Sequence, residues 1–222
     1  MAFMIFPSET KEQEPIYSYI HRKLGKIKSK EQIDQDLKVM VNAIVGYKIS
    51  YTDLDGFYRS GMERAKKLEP YFKRNYRVLE YGGGIGRLAK FLAPFCRKLV
   101  SVDVSPLMKR YGKILCPKVD FLNLEESKPK QQFDLCYSVA VFFHLDHVQH
   151  ETALKYIHQR LKPGGIVLID LVLGLRDISP KESGRTIETT DRRRFLSQCE
   201  KYYDVKFVKL FNNGLLLRKR ST

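Results

Sequence analysis

Residues 76–92 read YRVLEYGGGIGRLAKFL, and the fold turns on how that stretch is parsed. A short apolar strand, Val78-Leu79, runs into Glu80 and then into Gly82, Gly84 and Gly86, with a helix starting near Arg87. About twenty residues further on, a second apolar run, Leu99–Val104, carries Asp103 near its end. Glycines between a strand and a helix let backbone approach a ligand where a Cβ would clash. An acid closing the next strand is placed to accept hydrogen bonds from a ribose diol. The glycines alone are also compatible with a tight turn that holds nothing. Glu80 adds a constraint: its carboxylate repels the pyrophosphate that dinucleotide-binding turns seat on a helix N-terminus. The site suits a nucleoside that carries positive charge.

Glu80-x-Gly82-x-Gly84-x-Gly86 resembles motif I of the class I S-adenosylmethionine-dependent methyltransferases, and Asp103, in VSVDVSP, is similar to the residue of that family that holds the ribose hydroxyls. Phe133–Ser138 (FDLCYS) resembles the fourth strand, and Leu161–Gly165 (LKPGG) the turn before the fifth. Order and spacing match across residues 53–173. The resemblance implies an α/β fold with a doubly wound, seven-stranded, mostly parallel sheet that ends in an antiparallel hairpin. It implies S-adenosyl-L-methionine as cofactor, contacted by Glu80, Tyr81, Gly82, Gly84, Gly86, Asp103, Val104, Asn123, Leu124 and Ser138. In the implied roles, Glu80 braces the glycine turn, Gly82 and Gly84 admit the methionine moiety, and Val104 packs near the adenine. Asn123 stands where the family often has an Asp on the adenine amino group, and its carbonyl oxygen still accepts.

Methyl transfer from a sulfonium needs alignment, exclusion of water and, for a hydroxyl acceptor, removal of a proton. In Val141-Phe142-Phe143-His144-Leu145, His144 follows the fourth strand and faces the expected cleft, where similar methyltransferases often carry a His. Imidazole takes a proton near neutral pH, so His144 is the candidate base. The competing reading has it cap a helix or line the pocket. His147 and His150, on the next helix, read as surface residues. Upstream, YTDLDGFYRSGMERA resembles an aromatic-x-x-Gly helix that covers the cofactor, with Tyr51, Tyr58 and Arg59. Arg59 is either a bidentate partner of the methionine carboxylate or a solvated residue of an amphipathic helix.

Periodicity organises the rest. Ile16, Ile20 and Leu24, then Ile33, Leu37, Val41, Ile44 and Val45, mark two helices, the second entered near Ser29 and closed by Gly46. They form an N-terminal helical extension over residues 1–52, ahead of a methyltransferase domain over 53–222. A helix over Asp53–Phe72 precedes strands near 77–81, 98–103, 118–122, 133–138 and 165–172, alternating with helices near 86–94, 106–112 and 147–161. Only a short connection separates strands three and four, too short for the usual helix. Thr190–Tyr203 reads as helical, and Asn212-Asn213-Gly214 between apolar runs as a hairpin.

The chain has 222 residues, 43% hydrophobic and 12% aromatic, enough for one globular core with an added segment. Residues 1–15 are too short in apolar content for a signal or membrane helix. Cys96, Cys116, Cys136 and Cys199 lie far apart, as free thiols in a reducing compartment, and the expected location is the cytoplasm. No metal set is expected. Forty Lys and Arg against 25 acids give a net charge of +15, with basic clusters at His21–Lys30, Arg192–Arg194 and Arg218–Arg220. Such a surface either binds polyanions such as RNA or is simply solvated. The fourth strand ends in Ser-Val-Ala-Val, unlike amino-directed DNA methyltransferases, and no Pro-Cys nucleophile follows it. The expected activity is transfer to an oxygen or nitrogen of a small-molecule acceptor by a monomer or homodimer. The alternatives are an RNA or other nucleic-acid methyltransferase and a noncatalytic scaffold that kept the fold.

Overall fold

A computed structural model of the chain describes residues 16–43, 54–128, 132–170, 192–211 and 214–220. Strand β1 (Arg77–Tyr81) stands at the middle of the sheet, with Val78 and Leu79 wholly buried. Beside it lie β2 (Lys98–Asp103) and then β3 (Asp120–Asn123); on its other side lie β4 (Phe133–Ser138), β5 (Leu161–Asp170), β7 (Gly214–Lys219) and β6 (Tyr203–Val208). Strands β1 to β5 are parallel, with Leu79 opposite both Val100 and Cys136. β7 runs antiparallel between β5 and β6, with Leu168 opposite Leu216 and Phe207 opposite Leu215. The doubly wound sheet of seven strands with a terminal hairpin is therefore present. The chain moves outward from β1 to β3 and then returns to the other side of β1 for β4. Open α/β sheets form their ligand crevice at such a reversal, beyond the carboxyl ends of the strands.

Boundaries shift for local reasons. The helix expected over 86–94 is one turn, α4 (Ala89–Leu92), and continues as the 3-10 turn Ala93–Phe95, where Pro94 offers no N–H to an α-helical ladder. Helix α5 (Pro106–Leu115) starts as read, with Ser105 as N-cap, and continues through Gly112. β5 begins earlier than expected, since Leu161 already pairs with Phe133 ahead of a register shift. The β3–β4 connection holds a single 3-10 turn, Leu124–Glu126, as its length requires. Helix α6 (His147–Arg160) is capped by Asp146, which accepts from Val148 N and Gln149 N at 2.8 Å each. Helix α7 (Arg192–Glu200) precedes the hairpin. Among the described residues, no helix is long and apolar enough to cross a membrane.

Two helices precede the sheet, α1 (Ile16–Leu24) and α2 (Lys30–Ala43), followed by α3 (Leu54–Leu68). Ser29 caps α2 as expected: Gln32 N donates to Ser29 Oγ, and Ser29 N to Gln32 Oε1. Ile20, Leu24, Ile33, Leu37 and Met40 are buried in the same core as Leu54, Leu68, Tyr111 and Leu115. One buried polar tie across that junction is Tyr111, fully buried, whose hydroxyl donates to Asp36 Oδ2 at 2.8 Å; Lys28 Nζ lies 2.5 Å from the same oxygen. The expected stop at Gly46, the expected Asn212-Asn213 turn, Tyr51 and residues 171–191 lie outside the described residues.

Tyr111→Phe removes the buried tie while keeping the ring. Urea unfolding should show a loss of about 1–2 kcal/mol. Amide exchange should speed up in α2 before it does in β1.

Candidate active site

The carboxyl ends of β1, β2 and β4 border a cleft of about 380 Å³, floored by the glycine turn. The sheet extends into that turn, because Gly82 N and Gly83 N both donate to Val102 O, at 2.8 and 3.2 Å. Gly84 N donates to Asp103 Oδ2 at 2.9 Å, and Ser105 N to Asp103 Oδ1 at 2.9 Å. Asp103 thus latches the turn after β1 to the end of β2. Each of its oxygens keeps a second lone pair, and Asp103 lines the cleft. Gly84, at φ +55°, adopts the left-handed backbone that aims its N–H at Asp103, and nothing lies within 4 Å of where its Cβ would stand. That face of the turn is bare backbone open to a ligand.

Gly83 is required for a different reason. A Cβ there would stand 1.9 Å from Ser101 Oγ and 2.3 Å from Glu80 Oε2. The motif pattern treats position 83 as free, yet Glu80 occupies the space under it. Glu80 is 3% exposed and accepts from Ser101 Oγ at 2.7 Å. Burial raises its carboxyl to about 7, against the opposing pull of the Ser101 hydroxyl. The turn's brace comes from Asp103, and Glu80 supplies a buried acid with a raised pKa beneath the cleft floor.

The structure gathers Glu80, Tyr81, Gly82, Gly84, Asp103, Val104, Leu124 and His144 around this cleft. Four other expected contacts do not line it. Gly86 packs backwards, where a Cβ would meet Cys116 Sγ at 2.7 Å and Phe121 Cζ at 2.8 Å. Ser138 is fully buried and donates to Tyr81 O at 3.0 Å, fixing the end of β1. Asn123 uses its amide on Asp103 O at 3.3 Å. Arg59 is exposed on α3, away from the cleft. Tyr58 is pinned below the turn, its hydroxyl donating to Ile85 O at 2.6 Å.

Pattern reading missed several residues. Arg87 lines the cleft at 7% exposure, its guanidinium carbon 5.1 Å from the centre of the Phe57 ring. Its position one residue past Gly86 was the available signal. Phe57, Leu88, Met108, Val139 and Val141 add apolar wall. His150 is no surface residue: it is 2% exposed, with Nε2 2.6 Å from Phe142 O. The amphipathic pattern hid this because it is a polar residue on the buried face of α6.

The basic clusters are partly consumed by the fold. Arg218 donates to Gly164 O, Lys219 Nζ to His158 O and Leu161 O, and Arg220 to Asp204 and Tyr203 O. His21 pairs with Asp34 at 2.9 Å, while Arg22 and Lys23 lie over the Tyr19 ring. Arg193 and Arg194 are exposed in the first turn of α7; the Arg192 side chain lies outside the described residues.

A bare-backbone turn, a carboxylate with free lone pairs, an acid below and a cation at one end fit a nucleoside bearing positive charge and a carboxylate. Comparison with known proteins agrees. The family described as "Methyltransferase domain" matches residues 53–203. An uncharacterized methyltransferase of Oceanobacillus iheyensis is 28% identical over 129 residues, 55% of this chain and 60% of that one. The cyclopropane-fatty-acyl-phospholipid synthase of Escherichia coli is 26% identical over 139 residues, 60% of this chain but 36% of the synthase. The chain thus spans less than two thirds of the length of each of these relatives. Among solved structures, the N-methyltransferase NodS of Bradyrhizobium japonicum, in complex with S-adenosyl-l-homocysteine, has a TM-score of 0.59 at 19% identity, covering 85% of this chain and 99% of that one. A TehB-like SAM-dependent methyltransferase from Corynebacterium glutamicum gives 0.56 at 20% identity, over 72% and 87%.

Between about pH 4.5 and 7 the folded chain keeps a proton on Glu80 that the unfolded chain has released. Stability should therefore fall as pH rises through that window and level off above it. Asp170, raised to about 6 by burial, acts with the same sign in the lower part. Glu80→Gln isolates the first effect. In urea titrations, the stability difference between low and neutral pH should shrink by up to roughly 3 kcal/mol. Equal slopes for both proteins would refute a protonated Glu80.

Proposed function

The chain belongs to the class I S-adenosylmethionine-dependent methyltransferases, and from that membership we propose that this cleft transfers a methyl group to an oxygen or nitrogen of a small-molecule acceptor. The single observation that carries the cofactor half is Asp103, latched to Gly84 with acceptor capacity to spare beside open backbone. When bound, the cofactor supplies an electrophilic methyl group on sulfur, which leaves as a neutral thioether.

The chain's own residues divide the remaining work. Asp103 would accept from the ribose hydroxyls. Arg87 would hold the methionine carboxylate, a role less suited to the exposed Arg59. Glu80, as a carboxylate, would stabilise the positive charge of the cofactor and be stabilised by it. Val104, Met108 and Leu124 would hold the adenine. On the opposite wall, His144 orients the acceptor and takes the proton from its O–H or N–H. Phe57, Val139 and Leu145 keep water from the transfer path.

The small-molecule acceptor is favoured by the apolar enclosure that Phe57, Val139, Val141 and Leu145 give the cleft. A polyanionic acceptor is favoured less, since Arg218, Lys219 and Arg220 already serve carbonyls and an acid of the fold. The deciding experiment is methyl transfer from labelled cofactor to fractionated small-metabolite, RNA and protein pools. Label in the metabolite pool is expected; label in RNA, with salt-sensitive binding, would select the nucleic-acid reading. No transfer to any pool would favour the scaffold.

Calorimetry should show binding of S-adenosylmethionine and S-adenosylhomocysteine and none of NAD. Below about pH 7, binding should release protons, read from the dependence of heat on buffer ionisation. Asp103→Ala should weaken binding by about 1–3 kcal/mol, and Arg87→Met should weaken it while Arg59→Met leaves it unchanged. Binding of NAD alone would overturn the cofactor assignment.

With the acceptor found by labelled transfer, His144→Ala should lower turnover about a hundredfold with little change in cofactor affinity. Turnover within a few fold of the parent would leave His144 as pocket wall.

A further inference from the structure

The cleft wall opposite the glycines is segment 139–145, and its backbone is held in an unrelaxed shape. Ala140 has φ +60°, left-handed for a residue that carries a Cβ. Such a conformation persists only where the surroundings over-determine it. One hold lies at the turn: Gly82 approaches Val141 so closely that a Cβ would stand 2.4 Å from Val141 Cγ2. The other lies beneath. Phe142 is 2% exposed, and its carbonyl accepts from Leu145 N at 3.2 Å and lies 2.6 Å from His150 Nε2. In the same turn His144 N donates to Val141 O at 2.9 Å.

A carbonyl only accepts, so Nε2 of His150 must carry the proton. The imidazole stacks on Phe142, with centroids 5.8 Å apart and planes at 25°, and meets the edge of Phe195 at 4.9 Å. An apolar side chain would fill this aromatic setting without the desolvation of an imidazole. What the imidazole adds is a hydrogen bond to the turn that carries His144. Helix α6 fixes it from behind, because His150 N donates to Asp146 O at 2.8 Å within the capped first turn.

We propose that His150 is a positioning residue for the site: its Nε2–H, bonded to the Phe142 carbonyl, sets the place of the turn from which His144 faces the acceptor. This rests on the reading that His144 works at the acceptor side of the cleft. His150 does not line the cleft. It acts by holding a turn that Ala140 would otherwise let relax.

His150→Leu keeps bulk and removes the donor, and His150→Gln restores an N–H at similar reach. In His150→Leu, amide exchange at His144 and Leu145 should quicken about tenfold or more, with β1 and β4 amides unchanged. The His144 ring resonance should then respond less to added S-adenosylhomocysteine than in the parent. His150→Gln should return both readouts to within roughly threefold of the parent. Unchanged exchange in His150→Leu, faster exchange spread equally over β1 and β4, or no rescue by Gln would overturn the proposal. Should the Leu variant not fold, the imidazole nitrogen spectrum of the parent decides: a His150 proton on Nδ1 alone overturns it, and one on Nε2 with Gln retaining exchange protection supports it. A parent that binds no S-adenosylhomocysteine defeats the cofactor reading, while the exchange comparison still judges His150.

Discussion

A carboxyl group removed from water is costly, and Glu80 sits in that position with the Ser101 hydroxyl of the neighbouring strand as its close partner. The arrangement exists because Gly83 leaves room for it. Once Glu80 fills the space below the turn, the turn cannot sink into the sheet, and its backbone must face outward. Gly84 then reaches the Asp103 carboxylate, and β1 and β2 are tied at their ends as well as along their ladder. The open backbone, the Asp103 latch and the buried acid are consequences of one packing decision. Strand pairing and turn shape are settled together.

The sheet was legible because its strands are apolar runs of ordinary length, separated by glycine, proline and capping residues that act locally. That Glu80, Gly82, Gly84 and Asp103 meet at one cleft was legible for the same reason, since their places follow from distance along the chain. What could not be read depends on contacts between elements. Gly83 is dictated by Ser101 on another strand, and Gly86 by Cys116 and Phe121. Arg87 carried a signal in its place one residue past Gly86, but residue type does not separate it from Arg59, which the fold leaves exposed on α3 while Arg87 is buried at the cleft. His150 shows the same limit: helical periodicity assigns a polar residue to solvent, and a carbonyl from an unrelated turn claims it.

Net charge illustrates a further limit of composition. Positive residues counted along the chain suggest a surface for polyanions, but Lys219 closes the carbonyl end of α6 and Arg218 reaches Gly164 O. Cations near a helix C-terminus satisfy orphan carbonyls and oppose the helix dipole. A charge used in this way contributes to the field around the molecule, yet its donors are already directed at the fold.

The placement of β7 between β5 and β6 also governs the order in which the chain can be assembled. β7 follows every other described strand in sequence, yet it is an interior strand of the sheet. During synthesis, β5 emerges with Val167, Leu168 and Ile169 ready to pair, and β6 emerges next without being its neighbour. Until residues 214–219 appear, β5 presents an apolar, unpaired edge of the kind that recruits other chains. The nascent protein therefore passes through a stage at which its cofactor half is complete in sequence while its sheet is still open, and rapid capture of that edge by the last strand separates a folded product from an aggregate.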